Sequence, residues 1–87
     1  MKYKVTQSSE VITENTVIRP MGFGSWLAIN EGNNPAYIDG VRISTGASLD
    51  YRVLHPSVTW NSPITISFGE DGSSRKVRFI KLFYTEA

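Results

Sequence analysis

The sequence predicts an all-β fold: a small antiparallel β-sandwich (jelly-roll or Ig-like) or a barrel of seven to eight short strands, in one domain over residues 1–87. Three observations carry this. The 87-residue chain is rich in Val, Ile, Thr, Tyr and Phe, which suit a pleated surface. Turn signals recur roughly every ten residues, the spacing of sandwiches and barrels. Two runs alternate with period two: Leu49, Tyr51 and Val53 against Ser48, Asp50 and Arg52, and then Ile64-Thr65-Ile66-Ser67-Phe68.

Taken in order, residues 1–19 lack Pro and Gly, and their apolar residues are mostly β-branched and not at helical spacing. They read as two strands, roughly 2–7 and 10–19, broken at Gln7-Ser8-Ser9. Pro20-Met21-Gly22 is punctuation. From Phe23 to Asn30, consecutive Trp26, Leu27, Ala28 and Ile29 suggest a central or doubly covered strand. Glu31-Gly32-Asn33-Asn34-Pro35 is a strong turn signal. Residues 36–44 follow, and their Asp39-Gly40 suits a tight type I′ hairpin or a bulge. The alternating run 47–54 ends at His55-Pro56. Val58–Trp60 is a short strand candidate, and 64–68 is the next strand. Residues 69–74 read as a hairpin loop before a last strand from Arg75 to about Thr85. Alternation places Leu27, Ile29, Leu49, Tyr51, Val53, Ile64, Ile66, Phe68, Val77 and Phe79 in the core.

Size and charge set bounds. A chain this short buries roughly 60–65% of the surface its unfolded form exposes, which allows one modest core. With no cysteine there is neither disulfide nor thiolate. Nine basic against eight acidic residues argue against a dedicated nucleic-acid binder. The N-terminus shows no apolar h-region, so no signal peptide is seen, and no run of 18 apolar residues suggests a membrane span.

Catalytic signals are weak. The only histidine, His55, sits beside Pro56 two residues from Ser57, where a solvated loop histidine is the plain reading and a nucleophile–base pair the sharp one. Gly22-Phe23-Gly24-Ser25 is neither a nucleophile elbow nor a phosphate loop. Glu70-Asp71, in a Gly/Ser-rich loop, suits a soluble turn better than a calcium site. No catalytic residue, metal or cofactor is expected. Among the aromatics, Trp26 lies in an apolar run and reads as core. Trp60, at a strand end, and Tyr37 are the candidate ligand contacts. Arg75, Lys76, Arg78 and Lys81 read as a solvated strand end rather than a stacking platform. Residues 77–84 are the clearest exception to alternation: Val77, Phe79 and Phe83 supply one apolar face, and Ile80, Leu82 and Tyr84 supply another. One face fills the core. The second needs another layer or another chain, because large exposed apolar patches are rare on monomers.

The stretch Asn33-Asn34-Pro35-Ala36-Tyr37-Ile38-Asp39-Gly40-Val41-Arg42-Ile43, leading into Ser44-Thr45-Gly46-Ala47-Ser48-Leu49, resembles a pattern in small β-sandwich structural proteins of bacteriophage virions. The resemblance implies a structural, oligomeric virion component without catalytic residues, located in the virion or in the cytoplasm of the host cell. The expected function is therefore a non-catalytic structural or assembly protein, a capsid- or tail-associated phage component. It would act through protein–protein contacts, as a homo-oligomer or with other virion subunits, and Ile80, Leu82 and Tyr84 would form the partner or self-association face. The alternative is a β-sandwich module binding a carbohydrate or host molecule through Trp60 and Tyr37.

Overall fold

Eight strands and no helix make up residues 2–86, the part of the chain that the computed structural model describes: β1 (Tyr3–Ile12), β2 (Thr16–Ile18), β3 (Trp26–Asn30), β4 (Ala36–Ile38), β5 (Val41–Ile43), β6 (Ser48–Tyr51), β7 (Ile64–Phe68) and β8 (Val77–Glu86). They form two four-stranded antiparallel sheets, β1-β8-β3-β6 (sheet I) and β2-β7-β4-β5 (sheet II). The order has a simple origin. Fold the chain into one long hairpin with its tip between β4 and β5, and the pairs are β4·β5, β3·β6, β2·β7 and β1·β8. All four are present. Rolling that hairpin adds β3·β8 and β4·β7, also present. The result is a jelly roll; the immunoglobulin-like and barrel options fall away.

The tip is Asp39-Gly40. Both residues have positive φ, 48° and 84°, as a two-residue type I′ turn requires. Asp39 also ties the tip to β7: its N–H donates to the Thr65 carbonyl and its Oδ1 accepts from the Thr65 N–H, both at 2.8 Å.

The core lies between the sheets. Ile12, Trp26, Ala28, Val77 and Phe79 come from sheet I, and Ile18, Ala36, Ile38, Ile43, Ile64, Ile66 and Phe68 from sheet II, with Phe23 beside them. Ile64, Ile66, Phe68, Val77 and Phe79 are buried as their alternation predicts. Leu27 and Ile29 are not. The buried parity of β3 is Trp26, Ala28 and Asn30, because a run with four consecutive apolar residues leaves its inward set open and packing of the Trp26 ring on Phe79 decides it. The rings stack 5.5 Å apart. Leu49 and Val53 are half-buried and Tyr51 is exposed, since β6 is an edge strand at the rim.

Other expectations are corrected. β1 runs unbroken through Gln7-Ser8-Ser9: ten residues paired to β8 outweigh the weak turn preference of three polar residues. The break falls at 13–15, where Asn15 Oδ1 accepts from the Phe68 N–H at 3.0 Å. Residues 58–60 lie inside a long loop, 52–63, rather than in a strand. Residues 69–76 are not a hairpin loop but a crossover, since β7 and β8 belong to different sheets. A clasp holds that crossover. Asn33 Oδ1 accepts from the Ser73 and Ser74 N–H groups, and Asn34 Oδ1 also accepts from the Ser74 N–H.

Candidate functional site

The last strand is where sequence and geometry meet. Side chains alternate across a sheet, so the buried Val77 and Phe79 place Arg78, Ile80, Leu82 and Tyr84 on the outer face of sheet I. Register brings others beside them. Leu27 pairs with Ile80 and Ile29 with Arg78; Val5 pairs with Tyr84, Gln7 with Leu82 and Val11 with Arg78. The outer face therefore carries an apolar strip of Leu27, Ile29, Ile80 and Leu82, flanked by exposed Val5 and Val11. Sheet II lies against the other face. Among the described residues, no strand covers this strip.

Tyr84 differs from Ile80 and Leu82. Its hydroxyl donates to Ser25 Oγ at 3.0 Å, and Ser25 Oγ also accepts from the Val53 N–H at 3.1 Å. A Cβ on Gly24 would come within 2.9 Å of the Tyr84 ring, so the tyrosine lies over a position that only glycine leaves open. Tyr84 thus engages its own chain, and Ile80 and Leu82 remain as the unpartnered members of the expected face. Loop 52–63 also meets this end, where His55 touches the edge of Tyr3 with centroids 6.0 Å apart.

Charge on this face is internally matched. Arg78 Nε donates to both carboxylate oxygens of Glu31, at 3.1 and 3.2 Å, and Lys76 approaches at 3.7 Å. The Arg78 hydrogen bond, reinforced by the nearby positive charges, holds the Glu31 carboxyl below its usual range.

A second feature lies at the rim. Trp60 is half-buried. Its ring meets Tyr51 edge-on at 4.5 Å and Trp26 at 5.7 Å, and its Nε1 donates to the Ser62 carbonyl at 2.6 Å. With exposed Leu54 and Val58 the Trp60 and Tyr51 rings border an open cleft of about 460 Å³. Trp26 Nε1 is buried without a hydrogen-bond partner. Tyr37, the other expected ligand contact, is elsewhere. Ala36 and Ile38 point inward, so Tyr37 faces outward from sheet II, against Gly69 and between Arg42 and Ser67. The structure does not bring Trp60 and Tyr37 together; the ring beside Trp60 is Tyr51.

His55 is exposed, with Nδ1 2.8 Å from Ser57 Oγ and accepting from the Ser57 N–H at 3.1 Å. Two residues apart in one loop, they make a local turn contact. Glu70 and Asp71 are exposed in the crossover.

No family model matches the chain, and neither a curated protein nor a solved structure does.

Proposed function

We propose that this chain is a non-catalytic structural or assembly protein that works through protein–protein contacts, most concretely a small component of a phage virion. The observation that carries the reading is the half-buried apolar strip Leu27, Ile29, Ile80 and Leu82 on the outer face of sheet I, over which no strand lies among the described residues. Burying such a strip against another chain stabilises by roughly 25 cal/mol per Å² removed from water, and leaving it wet on a monomer is unusual. The jelly-roll topology is in keeping, since capsid and lectin domains use it; that support is an analogy of fold.

Sedimentation equilibrium on the wild type and on Ile80→Asp with Leu82→Asp tests the reading. The wild type should associate with increasing concentration, and the double variant should associate more weakly with an unchanged circular dichroism spectrum. A wild type that stays monomeric, or a double variant that unfolds, removes the physical basis of the assembly role.

The second reading, binding of a carbohydrate or host molecule, is favoured by the Tyr51–Trp60 pair at the open cleft. It is tested by glycan-array binding that disappears in Trp60→Ala.

A further inference from the structure

Sheet I has an unusual margin. β1 is an edge strand, ten residues long, and every residue from Lys4 to Val11 is exposed. β3 accompanies β8 only as far as Leu82, so residues 3–6 and 83–86 continue as a two-stranded ribbon that contributes to the 47 Å long axis of a molecule only 19 and 17 Å across. Long exposed edges template pairing with another chain, and proteins usually blunt them.

The direction of the free backbone groups follows from one hydrogen-bonded pair. In an antiparallel ladder a residue's N–H and C=O point to the same neighbouring strand, and successive residues alternate. The Leu82 N–H donates to the Ser25 carbonyl, and the Leu82 carbonyl accepts from the Gly24 N–H, both at 2.9 Å. Even-numbered residues of β8 therefore serve β3, and odd-numbered ones serve β1. Through the β1·β8 register, Lys4, Thr6, Ser8, Glu10 and Ile12 direct their backbone to β8. Val5, Gln7, Ser9 and Val11 direct theirs to the open edge.

We infer that this edge pairs with the same edge of a second copy of the chain, antiparallel, about a two-fold axis through Gln7. This deepens the assembly role proposed above and rests on it. Gln7 is an edge-facing residue, so Gln7 opposite Gln7 is a correctly oriented hydrogen-bonded pair. The remaining pairs include Val5 with Ser9 on the outer face, and Thr6 with Ser8 and Lys4 with Glu10 on the inner face. The last pair supplies the argument for self-recognition. The charges of opposite sign in β1, Lys4 and Glu10, stand three residues either side of Gln7, so the two-fold brings each against the other twice. Shifting the axis to Thr6 or Ser8 separates them. An edge blunted against all partners would present like charge; this one is complementary to itself. Glu10 already has Lys81 at 3.2 Å yet remains well exposed, and a cleft of about 480 Å³ between the β1 and β2 edges opens beside it, where the partner chain's Lys4 enters. The pairing would join two copies of sheet I into one eight-stranded sheet.

The test uses charge reversal and cross-linking. Lys4→Glu alone sets Glu against Glu twice, and Glu10→Lys alone sets Lys against Lys twice. Each should weaken the dimer about tenfold or more, since directly opposed like charges destabilise a strand pair. An equimolar mixture of the two variants restores both attractive pairs and should recover association as a heterodimer. With no native cysteine, Gln7→Cys should form a disulfide-linked dimer under mild oxidation, because directly opposed residues lie about 5.5 Å apart, within disulfide reach. Val5→Cys and Ser9→Cys should not cross-link alone, their copies being about 14 Å apart, but should do so when mixed. If the wild type dimerises while the mixture gives no recovery and Gln7→Cys gives no cross-link, edge pairing is overturned and the assembly role survives through another surface. A wild type monomeric at the highest attainable concentration overturns both.

Discussion

Replacing Asn30 by Ala should be among the more damaging single changes outside the aromatic core, although the residue is polar and ends a strand. Asn30 is 1% exposed. Its Nδ2 donates to the Asn34 and Ile43 carbonyls, each at 2.9 Å, and its Oδ1 accepts from the Gly32 N–H at 3.1 Å. One side chain thus joins the end of β3 to the turn before β4 and to β5 in the opposite sheet. Alanine removes all three bonds. The Gly32 N–H keeps a bond to the Lys76 carbonyl, so two carbonyls bear most of the loss. At roughly 1–1.5 kcal/mol for each hydrogen bond, and more where a buried partner stays unsatisfied, the cost is about 3 kcal/mol. For a domain of this size that lowers the melting temperature by about 12–24 °C. The control is Asn33→Ala, three residues away. Its hydrogen bonds to Ser73 and Ser74 are exposed, so water replaces them and the cost should stay below about 1 kcal/mol. Differential scanning calorimetry on both variants measures the contrast. Equal melting temperatures for the two would refute the claim that burial, rather than bond number, sets the value of these asparagines.

Two further changes probe the same frame. Gly32→Ala should cost about 1–3 kcal/mol by overpacking, because the new Cβ would meet the Ser74 carbonyl oxygen and lie 2.8 Å from the Lys76 nitrogen; a urea midpoint equal to that of the wild type would show that the crossover moves aside freely. The Glu31 carboxyl is depressed first by its Arg78 hydrogen bond and then by the charges of Arg78 and Lys76. Its stabilisation is therefore complete above the unfolded carboxylate's ordinary value and is lost as pH falls through and below that range. The stability difference between wild type and Glu31→Gln should be largest near neutral pH and shrink as pH falls below the ordinary carboxylate value of about 4.3, and a difference that stays unchanged far into acid contradicts the ion pair's contribution.

Much of the architecture was readable from turn chemistry and alternation, and its failures share one cause. Asp39-Gly40 announced the hairpin tip because only φ-permissive residues fit there, and the paired strands follow outward from that tip. By contrast, 69–76 carries the composition of a hairpin loop, and nothing local separates a turn within one sheet from a crossover between two. The Asn33 and Asn34 clasp that distinguishes them joins positions about forty apart. β1 was cut at Gln7-Ser8-Ser9 for the same reason: its continuity comes from β8, some seventy residues away.

The candidate surface shows how a failed pattern becomes information. Ile80 and Leu82 stood out because residues 77–84 do not alternate, and residues 26–29 fail in the same way. Taken separately, each run fits a strand covered on both sides. The structure makes them neighbours, with Leu27 opposite Ile80, so the two failures are one feature: the inner residues fill the core and the outer ones merge into a strip. That also explains the misassigned parity of β3. Leu27 and Ile29 look like core because they are apolar and branched, but the inward positions went to Trp26 and Ala28, whose large and small side chains fit around Phe79. Tyr84 was grouped with Ile80 and Leu82 by alternation alone. Only the fold reveals Ser25 as its partner and Gly24 as the opening beneath it. Read along the chain, the two runs look like two separate doubly covered strands; only their register shows a single half-buried strip on one face of sheet I.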